Sequence, residues 1–271
     1  MVNDKSLVVD IYLSTHARVW YSINSFNFLH SSFYHLTCYL GGETPIISSL
    51  GLAAALKEQA PDFIEKLLQK GVKYVYRYGL EDVRSNTGTS VLGAYGQHVK
   101  PGDDKEVIRQ KIEEEVRRHS NLFQWHEDGS LSVTHIVPII RKHEDTGLPT
   151  WFGNVTSAWG RSKYHGATEP PYRGDDDSYH PPPEYGDGTP MEKEYLDLAL
   201  ALAESLQVLV KWQRGDIVLL DNYAVMHSRC PWTGKRTVLA GLWDDTRNRI
   251  GDYPNEKPID FSRKPLGVPG S

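Results

Sequence analysis

The sequence predicts an α+β domain with a barrel or sandwich of strands at its centre. Three observations carry this: many short β-rich runs set off by turn residues, a few amphipathic stretches kept apart from those runs, and enough chain for one large core. The 271 residues hold 30 Lys and Arg against 35 Asp and Glu, a formal charge of −5, with 39% apolar, 24% charged and 11% aromatic residues. That is an ordinary globular composition, and a single domain of this size buries roughly 70–75% of the surface its unfolded chain exposes.

The elements follow in order. Ser49 to Gln59 and Pro61 to Lys70 read as two short helices, with Ser49 capping the first, Pro61 in the first turn of the second and Gly71 stopping it. Val72 to Tyr78 alternates β-formers and reads as a strand. Asp104 to Ser120 is an amphipathic helix with Val107, Ile108, Ile112 and Val116 on one face. Two hairpins are expected, turning at His126-Glu-Asp-Gly129 and at His143-Glu-Asp-Thr-Gly147. From Ala167 to Pro190 the prolines remove backbone donors and the acids repel one another. That stretch reads as a long surface loop, as an ordered lid or insertion or as a plain crossover within one core. Met191 to Gln207 is a core-facing helix, with Tyr195, Leu196, Leu198, Ala199, Leu202 and Leu206 as its apolar positions. Gln207 to Trp212, Asp216 to Leu220 and Arg236 to Trp243 close the domain as strands, and Asp244 to Ser271 reads as a surface tail.

Composition also excludes classes of function. The chain has no block of about five or six like charges, so neither a nucleic-acid groove nor a polybasic membrane patch is expected. Cys38 and Cys230 are the two cysteines, too few for a disulfide framework or a CxxC zinc site. No signal-peptide pattern and no apolar run of about 18 residues is found. The expectation is a cytosolic protein with a small-molecule partner and no nucleic-acid or membrane partner; the sequence does not indicate an oligomeric state.

The informative stretch runs from Gly215 to Trp243. His227 ends an apolar strand, and Arg236 follows nine residues later, after Pro231 and Gly234, at the start of the next strand. Were the two strands adjacent and antiparallel, both side chains would reach one cavity. A neutral imidazole ligates divalent iron and a guanidinium grips a carboxylate with two donors. The plain alternative for His227 is a structural histidine. Asp175-Asp-Asp177 offers oxygen for a cation, or is only solvated. Trp151, Trp159, Trp212 and Trp232 either line a pocket or pack the core.

Gly41-Gly-Glu-Thr-Pro-Ile46, Tyr185-Gly-Asp-Gly-Thr-Pro190, Trp212-Gln-Arg-Gly-Asp216 and the His227 segment, in this order, resemble the TauD/TfdA family of iron(II)- and 2-oxoglutarate-dependent dioxygenases, in its clavaminate synthase-like branch. The likeness runs from about Phe33 to about Trp243, leaving 1–32 as an atypical N-terminal segment and 244–271 as a tail. It implies a double-stranded β-helix (jelly roll) core flanked by helices, Fe(II) held by a His-x-Asp/Glu pair and a distant His, and 2-oxoglutarate as cosubstrate. Carried over, it implies His227 as the distal iron ligand, Thr44 as a hydroxyl contact to 2-oxoglutarate, and Arg236 as the salt bridge to the cosubstrate's far carboxylate. Relatives usually place a second Arg after the first, where this chain has Thr237, and neighbouring strand residues face opposite ways. Without the family, Thr44 is equally a turn residue before Pro45.

The family's His-x-Asp/Glu pair is expected roughly two dozen residues before Thr44, where this chain reads His16-Ala-Arg-Val-Trp20, with no carboxylate two places after His16. His30 and His35 are followed at that spacing by Ser32 and Thr37. The literal patterns at His126 and His143 come after Thr44 and in hairpin turns, which marks them as decoys. The simplest expectation is a chain that starts in the wrong place, as a truncated or mis-spliced reading of its gene; the rival is a natural pseudoenzyme. Activity is therefore read as a dioxygenase acting on a small organic substrate. The alternatives are an inactive jelly-roll binding module and a hydrolase or lyase using His227 with another metal.

Overall fold

A computed structural model describes residues 32–38, 43–82, 90–143, 145–213, 216–228, 230, 236–241, 259–262 and 265, with 32–38, 217 and 236–241 as backbone alone. In chain order these form β1 (Ser32–Cys38), β2 (Glu43–Ser48), α1 (Ser49–Gln59), α2 (Pro61–Lys70), β3 (Val72–Tyr78), α3 (Val91–Tyr95) and α4 (Lys105–Arg117). There follow β4 (Leu122–Trp125), β5 (Leu131–Val137), β6 (Ile140–Lys142), β7 (Pro149–Trp151), α5 (Val155–Tyr164), β8 (Glu184–Tyr185) and α6 (Lys193–Ser205). The last four are β9 (Gln207–Lys211), β10 (Ile217–Leu220), β11 (Val225–His227) and β12 (Arg236–Gly241). The expected mixture of helices and antiparallel sheets is what forms.

Among the described residues three sheets and one hairpin organise the strands: β10-β1-β12, β11-β2-β9, β4-β5-β3-β8 and β6-β7, each of these strand pairs antiparallel. Met226 of β11 and Ile47 of β2 are buried in the main core, with Leu52 and Leu56 of α1, Phe63 and Ile64 of α2, Trp151 of β7 and Leu196 of α6. Each such fully buried side chain contributes about 1.5–3 kcal/mol. A second core lies under α3 and α4, where Val91, Tyr95, Ile112 and Val116 meet Leu131 and Val133 of β5.

Local chemistry sets most boundaries. The cap of α1 is Ser48 rather than Ser49: its hydroxyl accepts from the Gly51 N–H at 3.0 Å, while Ser49 is already helical and buried. Pro61 opens α2, and Gly71 closes it at φ 68°, a conformation that costs glycine least. Asp104 caps α4 by accepting from Val107 N–H at 2.9 Å.

Thr44 and Pro45 lie inside strand β2, which corrects the turn alternative. Pro45 contributes its carbonyl to the ladder, accepting from Ser228 N–H at 3.0 Å, and lacks only the donor. The 167–190 stretch is largely irregular, as expected, but Tyr185 and His180 are buried, so it is anchored rather than merely lying on the surface. Residues 1–31 and most of the 244–271 tail lie outside the described residues; Ile259 and Phe261 pack against the main core. Among the described residues no helix is long and apolar enough to cross a membrane.

Candidate functional site

Strand β2 brings the GGET threonine beside the strand of His227. Ile46 stands opposite His227, and the ladder runs on from Ser228 N–H to Pro45 O and from Cys230 N–H to Glu43 O. Side chains alternate along a strand, so Thr44, Ile46 and His227 share one face, while Ile47 and Met226 face the core. Thr44 and His227 are diagonal neighbours across the two strands, roughly 7 Å apart.

Thr44 is 7% exposed, and its Oγ1 accepts from the Trp212 indole N–H at 2.8 Å. Trp212 packs with Val210 and Val218, which shields that hydroxyl from water and fixes its rotamer. Burial pushes the His227 imidazole below its ordinary value. The neutral form that results is the one that ligates metals.

The condition that β11 and β12 be adjacent is not met. β11 pairs with β2, whereas β12 pairs with β1 in a different sheet, Arg236 standing opposite Cys38. The chain keeps bonding to β2 as far as Cys230, and among the described strands β11 ends its sheet. The Arg236 side chain lies outside the described residues, as do Trp232 and the stretch around His16.

The two decoys sit in hairpin turns. Asp128 accepts from Ser130 N–H at 2.9 Å and binds Arg77 at 2.8 Å, and His126 bonds Ser132 at 2.7 Å. His143 has a different task. Its Nδ1 accepts from Thr146, and its Nε2–H donates to Asp221 Oδ2 at 2.8 Å. Asp221 in turn takes the Tyr223 N–H on its side chain, and its carbonyl takes the N–H groups of Ala224 and Val225. Thr150 donates to Tyr223 O at 2.7 Å, and Phe152 stacks on Tyr223 at 5.3 Å. The β6-β7 hairpin thereby holds the turn that launches His227's strand. The bond from His143 holds Asp221 below the usual carboxylate range, with burial opposing it.

A sequence model described as "Taurine catabolism dioxygenase TauD, TfdA family" matches residues 24–243. The chain belongs to the TauD/TfdA family. It is 31% identical over 206 residues to a clavaminate synthase-like protein of Arabidopsis thaliana, covering 74% of this chain and 56% of that protein. Identity to the dapdiamide synthesis protein DdaC of Enterobacter agglomerans is 24% over 228 residues, covering 82% of this chain and 62% of that one. The chain thus spans 56% and 62% of the lengths of these relatives. A crystal structure of a taurine dioxygenase from Burkholderia xenovorans aligns with a TM-score of 0.36 and 16% identity, covering 79% of this chain and 52% of that one.

A TauD/TfdA iron centre calls for two imidazoles and a carboxylate around one ion. Among the described residues of this TauD/TfdA chain, the group of His, Cys, Asp and Glu side chains close enough to share an ion is His165, Asp176 and His180, and His227 is not part of it. Without a three-donor group that includes His227, the described residues alone do not fit the family's iron.

The tryptophans resolve toward packing: Trp151, Trp159 and Trp212 are all buried. Sequence reasoning did not single out His165 and His180, which with Asp176 form the described group close enough to share an ion. Their sequence signal is two histidines flanking the acidic run Asp175–Asp177.

Proposed function

We propose that this chain serves iron(II)- and 2-oxoglutarate-dependent oxidation of a small organic substrate, on the sheet face that carries Thr44 and His227. The supporting observation is that two family motifs, far apart in sequence, lie on adjacent strands with their side chains on one face. The reaction class converts a C–H bond, O₂ and 2-oxoglutarate into C–OH, succinate and CO₂. When bound, the iron supplies the oxidising chemistry. His227 offers it one imidazole. Thr44, its acceptor side occupied by Trp212, has an O–H of the kind a cosubstrate carboxylate accepts, and Arg236 is assigned to the far carboxylate. The β10-β1-β12 and β11-β2-β9 sheets are assigned as the two faces of a jelly-roll domain over 33–243.

A second reading, a jelly-roll binding module without turnover, is favoured by the isolation of His227 from any three-donor group among the described residues. The two separate in aerobic assays of succinate formation from 2-oxoglutarate with added iron(II) and candidate carboxylic and amino acids. Iron-dependent succinate that disappears in His227→Ala supports the dioxygenase. Retained 2-oxoglutarate binding with no succinate overturns it in favour of the binding module.

A further inference from the structure

The acidic run of the Pro-rich crossover meets two histidines in space. His165 caps the C-terminal end of α5, and His180 lies fifteen positions on, its side chain 2% exposed. Their rings stack at 4.2 Å, tilted by 12°. His180 Nε2 donates to both oxygens of Asp176, at 2.9 and 3.1 Å. His165 Nδ1 lies 2.7 Å from Asp175 Oδ1 and 3.9 Å from Asp176 Oδ1. One ligand atom from each of His165, Asp176 and His180 falls within 4.8 Å of the others.

We propose that His165, His180 and Asp176 bind a divalent transition-metal ion that clamps the 165–180 crossover to the end of α5, with Asp175 beside His165 to complete the coordination. This stands independently of the dioxygenase reading and shares no residue with it. Two imidazoles and a carboxylate form a mixed N/O set that suits Zn²⁺, Co²⁺, Ni²⁺ or Fe²⁺ and not the all-oxygen shell of Ca²⁺ or Mg²⁺. Metal–donor bonds of roughly 2.0–2.2 Å put ligand atoms roughly 3–3.5 Å apart. The cluster therefore has to contract by about one ångström, and Asp176 can move because it sits on an exposed turn.

The surroundings are built around this cluster. A Cβ added at Gly174 would stand 2.7 Å from His165 Cβ, 2.8 Å from His180 Cδ2 and 3.0 Å from Asp176 Oδ1, so only glycine leaves the three side chains room to meet. Ser162, fully buried on α5, donates to His180 O at 2.7 Å and fixes that strap of chain. The buried Ser178 Oγ has no hydrogen-bond partner. His180 also lines a cavity of about 210 Å³ with Tyr76, Asn154, Arg161 and Tyr179, so the clamp would set one wall of it.

The test is titration of the chelator-treated chain with Co²⁺, followed by its visible d–d absorption and by the shift of the thermal melt. One equivalent should bind and raise the melting temperature. Removing a ligand should weaken binding at least as much as loss of an outer-shell partner, about 10-fold or more, in Asp176→Asn and His165→Gln; Asp62→Asn, in the first turn of α2 and outside both regions, should bind as the parent does. Asp176→Asn is the decisive variant, because it keeps the oxygen that accepts from Ser178 N–H at 3.0 Å, whereas His180 is buried and its replacement risks the fold. Absence of Co²⁺ uptake at millimolar concentration, uptake unchanged in both loop variants, or uptake lost in His227→Ala alone would each overturn the site.

Discussion

The sheet face of Thr44 and His227 and the crossover cluster of His165, Asp176 and His180 present opposite cases. On the sheet, residue types and spacing match a known pattern and β-ladder register brings two of them together, yet among the described residues His227 belongs to no group of three metal donors. In the crossover no pattern announces a site, yet one ligand atom from each of two imidazoles and a carboxylate lies within 4.8 Å of the others. Spacing along a chain therefore identifies candidate ligands, whereas tertiary closure decides which of them share an ion. The two regions also differ in support. The sheet site depends on a distant hairpin through His143 and Asp221, while the crossover is pinned locally by Ser162 and by the space at Gly174.

The comparison is broken most forcefully at His143. It is 6% exposed with both ring nitrogens bonded, so His143→Ala leaves a cavity and takes the imidazole donor from Asp221 Oδ2. Destabilisation of about 2–4 kcal/mol in urea unfolding is expected, with Co²⁺ binding by the folded fraction unchanged. A variant that weakens Co²⁺ binding as well would show the two regions to be coupled. At Gly174→Ala the added methyl has no room, and about 1–3 kcal/mol of stability should be lost together with the cobalt spectrum. Trp212→Phe removes the indole N–H from Thr44, costing about 1 kcal/mol and weakening 2-oxoglutarate binding by isothermal titration without touching Co²⁺.

The smallest effect concerns pH. Asp221 titrates below its unfolded value, so its contribution is fully present above about pH 4 and is lost as pH falls through the lowered folded value. With its side chain 38% exposed, the contribution is discounted to under about 1 kcal/mol. Acid unfolding of His143→Ala should be correspondingly less steep than that of the parent.

Much of the fold was legible because it follows from local chemistry. Pro61, Gly71 and Asp104 bound helices through dihedral preference and capping, and the turns at His126 and His143 form where Asp and Gly favour them. What sequence could not supply was partner choice. The eight residues between His227 and Arg236 suggest a hairpin, but nothing in them reveals that β11 pairs with β2 and β12 with β1. Thr44 was legible as a motif residue, but not its bond to Trp212, which joins positions far apart in the chain. His165 and His180 were illegible as a pair because the intervening irregular chain has no periodicity from which their approach could be read.

The central claim is that the family's chemistry belongs to the His227 face and not to the crossover cluster. Anaerobic titration with iron(II) and 2-oxoglutarate, watching the visible metal-to-ligand charge-transfer band of the chelate, tests it in the parent chain, His227→Ala and Asp176→Asn. The account predicts a band in the parent and in Asp176→Asn that is absent in His227→Ala. A band that persists without His227, or that needs Asp176, would contradict it, and no band at any concentration would contradict the dioxygenase reading itself.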